Sequence, residues 1–386
     1  MRKIYLDNNA TTPVHAEVLE AMLPFFREDF GNPSSTHWAG NMVRKAVNNA
    51  REQVAALVNC SPSEVVFTSG GSESVNTAVK GIIAAKRKEG NHILSTMVEH
   101  PAAFNSARYL EKEGIRTTFL GVDRDGMLNT ADLEAAIRDT TILISAMYAN
   151  NETGVIFPVR DIGEIAAAKG ISFVCDTVQA VGKVPINFRK LPVSAITVSG
   201  HKLHAPKGTG ALIVRNGIRI PPLIHGGPQE KNRRAGTENV PGIVGLGKAC
   251  EMAKNDLEKE AARIGALRDS LENGIRETIP EVKINGHPEM RLPNTLNISF
   301  IGVYVEPLLA ELDRNGVAVS AGSACSAESR EVSRVLTAMG LDAATARSTI
   351  RFSLGRENTR EDIDNVLALL PPLIGRLRNE RSVRTA

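Results

Sequence analysis

Lys202 stands in the run Ser199-Gly-His-Lys-Leu-His-Ala-Pro-Lys-Gly208, between two apolar, β-like stretches at residues 194–198 and 211–214. A lysine held where a strand gives way to a loop can form a Schiff base with an aldehyde cofactor. A further apolar stretch, 171–175, ends in Asp176, 26 residues before that lysine. An Asp and a Lys at the ends of two successive strands suit pyridoxal phosphate, with the carboxylate on the pyridine nitrogen and the amine on the aldehyde. As isolated residues, the pair reads equally well as a helix N-cap and a solvated loop lysine.

Other polar residues fall at similar positions. Thr68-Ser-Gly-Gly-Ser-Glu-Ser74 follows a strand and opens a helix, where two glycines and free amides suit a phosphate. It lacks a Walker lysine and the Gly-x-Gly-x-x-Gly spacing, which disfavours nucleotide readings. His100, in Val98-Glu-His-Pro101, can stack on a flat ring and move protons near neutral pH. Asn151 and Gln179 are neutral hydrogen-bonding groups at two more strand ends. Each has a bland reading as a turn residue; gathered at the carboxyl ends of five strands, they read as one site.

The elements that must hold these residues alternate. Between about residues 45 and 250, β-like runs at 65–68, 92–97, 117–120, 142–147, 171–175, 195–199 and 211–214 are separated by helical patterns. Two such patterns are 132–137 and 161–168, the second opening with Asp161 and Glu164 in capping-box spacing. The alternation predicts an α/β fold with a mostly parallel sheet covered by helices on both faces. Ligands of such sheets gather at the carboxyl ends of the strands. A helical segment over 255–278 carries Leu257, Ile264, Leu267, Leu271 and Ile275 on one stripe and stops before Pro280. It leads to a smaller α+β domain, with strands near 295–301, 317–320 and 349–354 and helices near 305–314, 331–339 and 360–370. We expect a large domain over 15–255 and a small one built from 1–14 and 256–386.

Composition narrows the classes. The 386 residues are 42% hydrophobic and 23% charged, with a net charge of +3, as for an ordinary soluble protein. That balance, without a basic stripe interleaved with aromatics, argues against nucleic-acid binding. No apolar run reaches membrane-spanning length, and charges appear too early for a secretion signal, so a cytoplasmic location is expected. Cys60, Cys175, Cys250 and Cys325 are widely spaced, which argues against a disulfide framework or an intrinsic structural metal site. The first three read as small buried residues. Cys325 lies in Ser320-Ala-Gly-Ser-Ala-Cys-Ser-Ala327, a run of small residues that suits a mobile loop.

Taken together, Tyr5-Leu-Asp-Asn-Asn-Ala-Thr-Thr12, Phe30-Gly-Asn-Pro-Ser-Ser35, Val98-Glu-His-Pro101, Asn150-Asn-Glu-Thr-Gly154, Ser199-Gly-His-Lys202 and Arg234-Ala-Gly-Thr-Glu-Asn239 resemble the motifs of cysteine desulfurases of the NifS/IscS type. The resemblance runs from residue 4 to about 378 and leans towards the NifS branch. It implies the aspartate-aminotransferase fold (pyridoxal-phosphate fold type I), a homodimer, and conversion of L-cysteine to L-alanine through an enzyme persulfide. Carried over by position, Lys202 is the Schiff-base lysine, Asp176 the partner of the ring nitrogen, Gln179 a donor to the phenolic oxygen, and His100 the stacking group. Gly71, Ser72, Ser199 and His201 hold the phosphate, with Thr237 reaching in from the neighbouring subunit. Asn151 and Arg351 bind the substrate carboxylate, for which the planar guanidinium fork is suited. Cys325 takes the sulfur as its thiolate and could transiently ligate iron through the persulfide. An iron–sulfur scaffold protein is the expected acceptor.

The chain departs from that pattern in places. Ser72 stands where Thr is usual and keeps the hydroxyl; Thr177 stands where Ala is common; and Ile301-Gly-Val-Tyr-Val-Glu306 replaces a Glu-Gly-Glu-rich stretch. The competing expectations are a selenocysteine lyase, another pyridoxal-phosphate enzyme of this fold, or a catalytically silent sulfur-docking protein.

Overall fold

The computed structural model describes residues 2–322 and 332–385. Twelve strands occur among them. They are β1 (Ile4–Tyr5), β2 (Val65–Thr68), β3 (His92–Thr96), β4 (Arg116–Leu120), β5 (Thr141–Met147) and β6 (Ser172–Asp176). The chain continues with β7 (Ala195–Ser199), β8 (Gly210–Val214), β9 (Val282–Ile284), β10 (Thr295–Phe300), β11 (Val317–Ala318) and β12 (Thr349–Ser353). Seven form one sheet in the order β2-β8-β7-β6-β5-β3-β4, parallel except for β8, which runs against both its neighbours.

Alternation within these strands explains why the sheet has two covered faces. Phe67, Leu94, Ile144, Phe173 and Ile213 enter one core, and their neighbours Val66, Ile93, Leu143, Val174 and Leu212 enter the other. Successive side chains of a strand point to opposite faces, so near-continuous apolar runs demand cover on both. Helices Trp38–Val58 and Val240–Thr278 supply it on the first face, and Gly71–Lys86 on the second.

A separate core gathers Ile4 and Leu6 with residues from Leu271 to Leu377 around the antiparallel sheet β12-β10-β9. Helix Val240–Thr278 begins in the first core with Ile243 and Leu246 and ends in this one with Leu271 and Ile275. At 39 residues it is about 58 Å long. It starts well before the segment predicted from residue 255. Asn239 caps it, its side chain accepting from Gly242 N at 3.2 Å, and Pro241 occupies the first turn. Gly245 and Gly247 had diluted the helical pattern. Their missing side chains admit Met22 and Ala50, which a Cβ would meet within 2.7 Å.

Two further boundaries differ from expectation. Helix Val159–Ala168 has Pro158 at its N-cap, so Asp161 lies within the first turn rather than capping it. The last helix, Arg360–Thr385, runs on through Pro371 and Pro372 instead of ending near 370. An interior proline costs about 3 kcal/mol, but Leu373, Ile374 and Leu377 beyond the prolines are buried in the small core. At about 1.5–3 kcal/mol each, burial of those three is comparable with the cost of both prolines. Among the described residues, no helix is long and apolar enough to cross a membrane.

Candidate active site

The carboxyl ends of β2, β3, β5, β6 and β7 open on one pocket of about 260 Å³. Of the predicted site residues, Gly71, Ser72, His100, Asn151, Asp176, Gln179, Ser199, His201, Lys202 and Arg351 all line it. Thr237 does not; it is exposed on the segment before the long helix. Cys325 lies outside the described residues.

Lys202 ends a short turn, Gly200–Lys202, after β7. Its Nζ donates to the carbonyls of Asn9 and Ala10 at 2.5 and 2.6 Å. Asp176 Oδ1 accepts from Thr197 Oγ1 at 2.9 Å and from Val178 N at 3.0 Å, which leaves Oδ2 for a ligand. Thr177, the unusual neighbour, donates from Oγ1 to the Thr197 carbonyl at 2.6 Å. It thereby ties the end of β6 to β7 and holds Asp176 and Lys202 in register. That accounts for a hydroxyl where a methyl is common.

His100 caps helix Pro101–Glu111, its Nδ1 accepting from Ala102 N at 3.1 Å. The neutral ring therefore carries its proton on Nε2. Burial lowers its pKa, with the Lys202 and Arg334 cations working the same way and Asp176 opposing them. His201 is pushed down to about 4 by burial and by Lys202, and its Nδ1 lies 3.2 Å from Thr11 Oγ1. Both imidazoles are neutral near pH 7.

The opposite wall comes from β12 and the N-terminal segment. Arg351, on β12, is 1% exposed; Nη2 donates to Asp7 Oδ1 at 2.6 Å and Nη1 to the Asn151 carbonyl at 2.9 Å. Its Nε is buried with no partner. A guanidinium has five N–H groups, so donors remain for an incoming carboxylate.

The cradle fits pyridoxal phosphate. Gly70 adopts φ +149°, which side-chain-bearing residues rarely do, and turns β2 into helix Gly71–Lys86 so that the first amides face the pocket. Gly210 is packed so closely that a Cβ would lie 2.7 Å from Gly70 Cα. Glu73, in that first turn, is neutralised by Arg234 at 3.0 Å, so no unpaired carboxylate faces a phosphate. Asp176 and Lys202 line the same pocket, which thus offers an anion-binding turn, a carboxylate and an amine, the three groups the cofactor needs.

Sequence reasoning missed four contributors. Asn9 is buried and joins the site, its carbonyl accepting from Lys202 and Gln179 and its Nδ2 donating to Thr295 Oγ1 at 2.9 Å. Asp7 pairs with Arg351, Lys183 bonds Asn9 and Gln179, and Glu99 is buried beneath the pocket. Asp7 and Asn9 belong to a motif used for the resemblance, but nothing local to it assigns a role. Their partners are more than a hundred residues away.

The sequence matches the family described as Aminotransferase class-V over residues 4–366. Cysteine desulfurase 2 of Trichormus variabilis is 52% identical over 378 residues, covering 98% of this chain and 94% of that protein. A solved NifS-like protein superposes with a TM-score of 0.92 at 38% identity, covering 97% of this chain and 100% of the other. A structure described as SspA in complex with cysteine matches with a TM-score of 0.82 at 37% identity, covering 92% of this chain and 99% of that one.

Proposed function

Because this chain belongs to the class-V aminotransferase family, and within it to the cysteine desulfurases, we propose that it removes sulfur from L-cysteine, releases L-alanine and passes the sulfur on for iron–sulfur cluster assembly. The observation that carries this reading is the convergence of Lys202, Asp176, His100 and Gln179 on one pocket with Arg351 opposite. The two separate cores support reading the chain as a large and a small domain with the site between them.

When bound, pyridoxal phosphate supplies an aldehyde for the Lys202 amine and a ring that accepts electron density. Asp176 would hold a proton on the ring nitrogen, and Gln179 would donate to the phenolic oxygen. Gly71, Ser72, Ser199 and His201 would hold the phosphate. His100 would lie against the ring, and its Nε2 proton is placed for transfer to a reacting atom in the pocket. Arg351 and Asn151 would orient the substrate through its carboxylate. Cys325 would act as a thiolate: its S–S bond forms as the substrate's Cβ–S bond breaks, the bonding pair stays with carbon, and protonation there yields alanine. The released amino acid keeps its nitrogen, so no amino acceptor is consumed.

Thr237 is exposed and outside its own pocket, so a phosphate contact from it requires a second copy of the chain, and we propose a homodimer. A reducing cytoplasm suits chemistry that needs a free thiol. The acceptor is proposed to be a scaffold protein. Mass spectrometry after incubation with cysteine and a candidate scaffold would locate the transferred sulfur.

The direct test is Cys325→Ser. We expect alanine release from L-cysteine to fall to background while the yellow cofactor absorbance is retained. Parental turnover in that variant would reject the persulfide route.

A further inference from the structure

Lys183 lies four residues after Gln179, and neither of its bonds is to a carboxylate. Its Nζ donates to Gln179 Oε1 at 2.8 Å and to Asn9 Oδ1 at 3.0 Å. On its other face, the Gln179 amide donates from Nε2 to the Asn9 carbonyl at 3.0 Å. An amide can be rotated by half a turn without changing its shape, so its neighbours decide which end is which. Here both neighbours decide alike. Flipping Gln179 would set its NH₂ against the Lys183 donor and its oxygen against a carbonyl. The second N–H of Nε2 is therefore what Gln179 offers the pocket it lines.

The geometry points to Lys183 as a positioning residue for the desulfurase reaction, one that acts through Gln179 by locking its amide with the donor end towards the cofactor's phenolic oxygen. The inference rests on the pyridoxal-phosphate reading of the site. The surroundings disfavour a charge on Lys183. Lys202 and Arg351 both oppose a charge on Lys183, and burial opposes it most. Arg351 is itself paired with Asp7. Behind Lys202, Lys183 borders a smaller cavity whose two carboxylates are engaged elsewhere, Asp256 with Arg356 and Glu260 with Arg263. His15 and His204 also line it.

A donor on the phenolic oxygen makes the cofactor's neighbouring nitrogen less basic. Losing Lys183 therefore raises the pH midpoint of the bound cofactor's visible absorbance. The experiment is a spectrophotometric pH titration of parental holoenzyme, Lys183→Met and Lys183→Arg. We expect an upward shift of about one pH unit in Lys183→Met, near-parental behaviour in Lys183→Arg, and no added shift from Lys183→Met in a Gln179→Leu background. Should Lys183→Met not retain cofactor, Lys183→Gln must still raise the midpoint. An unshifted midpoint in a coloured, folded variant overturns this inference alone, as does an undiminished shift in the Gln179→Leu background. A parental protein that stays colourless with pyridoxal phosphate overturns the reading of the site as well.

Discussion

Glu99 sits beside His100 in the chain, but its carboxyl is buried and points away from solvent. Oε1 accepts from Thr96 Oγ1 at 2.7 Å and from Met147 N at 3.0 Å, while Oε2 has no partner. Burial raises its pKa to about 8, and the Asp176 carboxylate adds to the effect. An acid whose folded pKa is raised binds more protons in the native state. Its contribution to stability is present in full below the ordinary carboxylate range, near 4.3, and declines as pH rises towards and through about 8. Glu99→Gln keeps the acceptor oxygen and cannot ionise, so we expect its unfolding free energy to fall less steeply than the parent's between pH 5 and about 8.5. Urea unfolding across that range is the check; parallel curves would reject a neutral Glu99. At this scale the chemistry-bearing residues were readable because strand ends expose them. Glu99 and Lys183 were not, because a buried partner leaves no local mark.

Among the elements, the phosphate turn depends on how closely β8 passes behind it. A Cβ on Gly210 would lie 2.5 Å from the Val198 carbonyl and 2.7 Å from Gly70 Cα, both backbone atoms that cannot swing aside. Gly210→Ala should therefore cost about 1–3 kcal/mol and weaken retention of the cofactor, measured by denaturant unfolding and by dialysis of the yellow protein. Unchanged stability and retention would mean that the sheet can spread here. The strands of the seven-stranded sheet were legible almost to the residue, since apolar runs between turn signals have few other uses in an α/β chain. The long helix and the last helix were not. Glycines weaken a helical pattern and prolines interrupt it, while the packing that justifies both is contributed by distant residues: Met22 and Ala50 in one case, the small core in the other.

For the whole molecule, the pocket is where three parts of the chain meet: the carboxyl edge of the large sheet, β12 of the small core and the N-terminal Asp7–Thr12 segment. The Asp7–Arg351 pair at 2.6 Å is one of the joints between them. Asp7→Asn leaves the Arg351 charge buried and uncompensated, with an expected loss of about 3 kcal/mol. The neutral amide also competes less strongly for the guanidinium, so KM for L-cysteine should fall even as thermal stability drops. A variant that loses affinity along with stability would place the substrate carboxylate elsewhere. The strand segments along the chain, the residues at their ends and the family motifs were determined by the sequence alone, because periodicity and local turn chemistry act over a few residues. Which of those residues share a pocket was decided by the tertiary structure. The bonds of Asn9 to Lys202, of Arg351 to Asp7 and of Lys183 to Asn9 arise only when segments far apart in the chain are packed together, and hydrogen bonds of that reach have no signature in the order of residues.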